Sequence, residues 1–99
     1  MPSKPVGLHE QAFAEAQSAY DWYAGQSPAA AEAFINELDQ AIAQIGRHPD
    51  LAAPHVSGTR RYVMRRFPFT VVFREKPTII EVVAIAHARR RPGYWKERL

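Results

Sequence analysis

Two periodicities divide the chain near residue 60. Before it, apolar residues recur every three or four positions: Phe13, Ala16, Tyr20 and Tyr23, then Phe34, Leu38, Ala41 and Ile45. Each set marks one face of a helix. Val6–Leu8 reads as a short strand ahead of them. Gly25 is the expected stop of the first helix. Ser27 followed by Pro28 is the expected start of the second, a capping hydroxyl with proline at the first helical position. The second helix should run to Gly46 and Pro49, giving a helical hairpin with acidic outer faces. Asp50–Thr59, with Pro54 and Gly58, reads as a loop.

From Arg60 the period becomes two. Tyr62 and Met64 alternate with Arg61, Val63 and Arg65, and Phe69, Val71 and Phe73 alternate with Thr70, Val72 and Arg74. A turn at Phe67-Pro68 pairs Arg66 with Phe69, Met64 with Val71 and Tyr62 with Phe73. A second turn at Glu75–Thr78 leads into Ile79–His87, with Ile80, Val82, Ala84 and Ala86 on the core face. The predicted class is α+β: a short N-terminal strand and a two-helix hairpin packed on one face of a C-terminal antiparallel β-meander. This register sets Arg61 opposite Arg74, an unfavourable pair, with Glu81 as the nearest internal counter-charge. Ile79, Val83 and Ile85 make the other face too apolar to stand bare, so the tail or a partner should cover it.

Length and composition narrow the function classes. With 99 residues the chain is expected to form a single domain over 1–99 and to bury about 60 to 70% of its unfolded surface. Absence of cysteine removes disulfides, thiolate metal sites and cysteine nucleophiles. The longest apolar run, Val82–Ala86, is too short to span a bilayer, and Met1–Pro5 lacks the apolar stretch of a secretory signal. A cytoplasmic protein without membrane contact is the expectation. Glycine-rich phosphate loops and common hydrolase motifs are absent, and His9, His48 and His55 have no metal-ligand spacing. No cofactor or metal is expected.

Charge is unevenly distributed. Residues 1–50 carry two cations against seven carboxylates, and residues 51–99 carry eleven cations against three. The basic half should steer anions, and its dominance by arginine suits bidentate pairing with carboxylate or phosphate. Functional chemistry concentrates in Ala86–Trp95, which joins His87 to Arg89, Arg90, Arg91, Tyr94 and Trp95. On the expected register His87 shares the second face with Arg61, Arg65 and Arg74. It is either a half-buried, hydrogen-bonded histidine or a general acid or base in RNA cleavage, with arginines stabilising phosphorane charge. A second acid–base partner is missing. Tyr94 and Trp95 are expected to fold back as a lid, with base stacking as the alternative.

The ordered set of two helices, Gly58–Tyr62, Arg66–Phe69, Val71–Phe73 and Val83–Trp95 resembles the RelE/ParE superfamily of toxins from type II toxin-antitoxin systems, closest to its ParE-like, plasmid-stabilisation branch. The resemblance spans nearly the whole chain. It implies a βααβββ toxin neutralised by a cognate antitoxin from an adjacent gene, in a toxin–antitoxin hetero-oligomer. Two targets follow from it: DNA gyrase, without nuclease activity, or the ribosome and its mRNA, cleaved endonucleolytically. A ribonuclease would use Arg61, Arg65 and His87 as catalytic residues. Partner or target contacts would fall to Arg61, Arg65, Arg74, Arg89, Arg90, Arg91, Tyr94 and Trp95. The chain has no lysine cluster in its central strands and no tyrosine at its extreme end, which favours the non-nucleolytic reading. A degenerate member that only binds its antitoxin is the remaining alternative.

Overall fold

A computed structural model describes residues 4–99; of the Met1–Pro5 stretch read as lacking a signal-like apolar run, Met1–Ser3 lies outside the described residues. Val6–Leu8 forms β1, Glu10–Gln26 helix α1 and Pro28–Arg47 helix α2. Ser27 alone separates the helices, and its side-chain oxygen accepts from the Ala30 N–H at 3.0 Å with Pro28 in the first turn. Both halves of the expected start signal are in use. Phe34, Leu38, Ala41 and Ile45 of α2 are buried as the period requires.

The buried face of α1 differs from the expected one. It consists of Ala12, Ala16 and Ala19, with Tyr23 packed at its end, while Phe13 is 62% exposed and Tyr20 is also exposed. Small residues let α1 approach the sheet closely. The core therefore follows the alanines, and the large side chains one position away turn outward.

After α2 come β2 (Ala53–Pro54), β3 (Arg60–Val63), β4 (Phe69–Glu75) and β5 (Ile80–His87). The sheet order is β1-β5-β4-β3-β2, with β1 parallel to β5 and the other pairs antiparallel. The meander is thus extended on both sides, and the expected loop at Asp50–Thr59 contributes a two-residue edge strand.

Register in the first hairpin departs from expectation by two residues: Tyr62 pairs with Val71 and Arg61 with Val72. Faces are preserved because the shift is even. The cause is the connection, which runs from Met64 to Pro68 rather than turning at Phe67-Pro68. Met64 N–H bonds the Phe69 carbonyl at 3.0 Å, and the Glu37 carboxylate of α2 accepts from the N–H groups of Arg65 (2.6 Å) and Arg66 (3.2 Å). The expected opposition of Arg61 and Arg74 does not occur. Arg74 lies directly opposite Glu81 and donates to it at 2.8 Å.

A bulge in β5 changes which residues face the helices. Val72 pairs with Ala84 and Phe73 with Val82, which leaves Val83 as the extra residue. Ile80 and Val82 join the helix-side core before the bulge and Ile85 joins it after, while Val83 and Ala84 both lie on the outer face. The expectation that Ala84 and Ala86 face the core and Ile85 faces away is therefore reversed. The outer apolar bed of Val72, Val83 and Ala84 is covered by the chain's own Trp95, which is 2% exposed. Gly93, at φ +74°, supplies the left-handed turn that brings the tail back across the sheet.

Candidate functional site

The candidate surface is built where β1 stops. It pairs with β5 at residues 80–82, so among the described residues the ladder edge of β5 beyond Val82 has no neighbouring strand. Side chains and the α1 entry close that edge instead. The His9 N–H bonds the Val82 carbonyl at 2.8 Å, Glu15 Oε1 of α1 accepts from the Ile85 N–H at 3.0 Å, and Arg98 Nη1 donates to the Val83 carbonyl at 2.9 Å. Arg98 also reaches both oxygens of Glu15, at 2.9 and 3.0 Å, and the Tyr94 hydroxyl donates to Glu15 Oε2 at 2.5 Å. Burial alone would raise the Glu15 carboxyl. The hydrogen bonds from Arg98, Tyr94 and the Ile85 amide, with the Arg98 charge, outweigh it and hold the group below its ordinary 4.5. Burial and the adjacent Glu15 carboxylate push the Tyr94 phenol well up.

This staple fixes the start of the arginine run. Arg90 lies over the Tyr94 ring at 3.8 Å, with Arg98 5.1 Å from the same centroid. Above it opens a cleft of about 760 Å³ between α1 and the end of β5, walled by Trp22, Tyr23, Phe69 and Ile85 and rimmed by His87, Arg89 and Arg90. Trp22 is 62% exposed there. His87 stands edge-on to Phe69 at 5.0 Å, and its Nδ1 accepts from the Arg89 N–H at 3.0 Å. Its ring is therefore a turn-forming group facing the cleft.

The sequence-predicted residues do not form one constellation. The bulge turns His87 to the helix side, whereas Arg61 pairs with Val72 and shares the outer face with Trp95. The expectation that His87 shares a face with Arg61, Arg65 and Arg74 is corrected accordingly. Arg65 lies in the β3–β4 connection at a groove along α2 lined by Glu32, Glu37 and Tyr62. Arg74 is held by Glu81, which Lys76 also approaches at 3.5 Å. Burial would raise Glu81, but Arg74 and Lys76 hold its carboxyl below the ordinary range. Arg91 lies with His9 and Glu10 on the far side of the tail. Among the described residues no group of three His, Cys, Asp or Glu side chains converges to hold a metal. Among the described residues no helix is long and apolar enough to cross a membrane.

Sequence reasoning missed Glu15, Arg98 and Trp22. Glu15 has a signal in retrospect: it is a carboxylate immediately beside the alanine face. Its partner Arg98 lies 83 residues away, a separation that periodicity cannot bridge.

Known proteins agree with this architecture. Among curated proteins no match to the sequence is found. Of solved structures, a chain described as "Chromosomal ParDE TA system from P. aeruginosa" superposes with a TM-score of 0.76 at 20% identity, covering 90% of this chain and 100% of that one. It shares the fold. The family described as "ParE toxin of type II toxin-antitoxin system, parDE" matches residues 6–92, from β1 through the arginine run and short of Tyr94, Trp95 and Arg98. With so much of the sheet and both helices inside that match, the chain belongs to the ParE toxin family of type II toxin-antitoxin systems.

Proposed function

We propose that this toxin arrests growth by binding DNA gyrase rather than by cleaving RNA, and that a cognate antitoxin from an adjacent gene neutralises it. One observation carries the choice between targets: the sheet separates His87 from Arg61, so the proton-transfer group and the β3 arginine of the ribonuclease reading face opposite ways. General acid–base cleavage needs such groups within hydrogen-bond reach of one phosphate. A toxin that acts by docking needs a concave, partly apolar surface with orienting charges, and the α1–β5 cleft is one.

The same cleft suits the antitoxin. Trp22, Tyr23 and Phe69 offer stacking and apolar anchors, and Arg89 and Arg90 at the rim would pair with acidic residues of a disordered segment ordering on binding. Arg74 is a weaker partner because a carboxylate from outside must displace Glu81. The P. aeruginosa chain comes from a ParDE system, which supports a hetero-oligomer of toxin and antitoxin here.

The test pairs two reactions. Purified protein is added to a gyrase supercoiling assay and, separately, to a translating ribosome extract with message ends mapped by primer extension. Blocked supercoiling with intact message is the expected result. Codon-linked cuts that His87→Ala abolishes would overturn the reading in favour of an mRNA endonuclease. Activity in neither assay, with the antitoxin still bound, would make this a member that only binds its partner.

A further inference from the structure

The outer face of the sheet carries a second feature that the cleft does not use. Arg61 of β3, His55 just after β2 and Lys96 beside Trp95 converge there. β2 pairs Ala53 with Arg61, two residues before His55, and the His55 ring lies 5.7 Å from that of Trp95, the residue next to Lys96. Among the described residues neither Arg61 nor Lys96 has a carboxylate within salt-bridge distance, and the side chain of His55 makes no hydrogen bond. Arg74 on the same face is neutralised by Glu81, so on the strands of this face Arg61 is, among the described residues, the cation left without a carboxylate partner.

We propose that Arg61, His55 and Lys96 form a contact site for the phosphate backbone of duplex DNA. A guanidinium fork, an ammonium and an imidazole N–H together offer donors for phosphate oxygens. The aromatic of this face, Trp95, is buried against Val72, Val83 and Ala84, and Tyr94 is held by Glu15 and Arg90. Neither ring is presented for stacking on an unpaired base, which favours a duplex over a single strand. Trp95 also fills the apolar bed that would anchor a peptide, which disfavours an acidic peptide. The site stands apart from the cleft and does not depend on the gyrase reading.

Proton linkage follows. Burial, then Arg61 and Lys96, hold the His55 imidazole below its ordinary 6.5; a phosphate among the three groups reverses the charge contribution. Binding therefore takes up a proton and strengthens as pH falls from about 8 to about 6.

The test is fluorescence anisotropy of a labelled duplex of mixed sequence with the full chain, at several salt concentrations. Arg61→Gln with Lys96→Gln should remove about two phosphate contacts. The wild type then loses roughly tenfold more affinity than the double variant between about 50 and 200 mM salt. NMR of the His55 ring in the unsubstituted protein is the second measurement, and its titration should move to higher pH when the duplex is added. An unchanged salt slope in the double variant, an unmoved His55 titration, or poly-glutamate or single-stranded RNA binding as tightly as the duplex would each overturn the proposal.

Discussion

Replacing Glu15 by Gln tests how the tail is held to the sheet. The carboxylate receives the Ile85 amide, the Tyr94 hydroxyl and two guanidinium N–H groups, and the side chains of Glu15 and Arg98 are only 16% and 10% exposed. Gln preserves the shape and one acceptor oxygen, so the bond to Ile85 or Tyr94 can survive. It removes the charge facing Arg98, leaving a nearly buried guanidinium without its counter-ion. Breaking a fully buried pair from one side costs about 3 to 5 kcal/mol. Because the pair keeps slight solvent access, a loss of about 2 to 4 kcal/mol is expected, which lowers Tm by roughly 10 °C or more in a chain of this size. Urea and thermal unfolding give the number. Arg98→Met on the Glu15→Gln background should restore part of it, with a coupling of at least about 1 kcal/mol. A single-variant loss below about 0.5 kcal/mol, or no coupling, would refute the view that this pair closes the β5 edge.

Further outcomes follow from the same structure. Glu15 and Glu81 both have folded-state carboxyls held below their unfolded value, so their contribution is complete above pH 4.5 and is lost as pH falls through the depressed folded values. Stability measured against pH should drop in that acid range, and Glu15→Gln should flatten the drop. Ser27→Ala removes the cap oxygen of α2 while leaving Pro28, and should cost about 1 kcal/mol in urea unfolding.

Elements whose cause is local were readable from the sequence. The Ser27-Pro28 start, the Phe34–Ile45 face and the alternation in β3 and β4 each depend on residues a few positions apart, and all are present. Three features were hidden for identifiable reasons. A two-residue register shift leaves every side chain on its expected face, so hydrophobic pattern cannot detect it; the Glu37 cap on the Arg65 and Arg66 amides sets it from another element. The bulge at Val83 lies in an all-apolar run, Val82–Ala86, in which either face assignment satisfies the pattern. On α1 the expected Ala16 and Tyr23 are in the core, but Ala12 and Ala19 replace Phe13 and Tyr20 there because small side chains suit a helix that approaches the sheet closely. Of the candidate site, the tail and its arginines were legible from composition. The separation of His87 from Arg61 follows from the bulge and was not.

We propose a docking toxin rather than a nuclease, and the supercoiling of a reporter plasmid after induction in cells separates that reading from its alternative. Negative supercoiling should fall as growth arrests and recover when the antitoxin is co-expressed. Growth arrest with supercoiling unchanged and codon-linked breaks in cellular messages would contradict it.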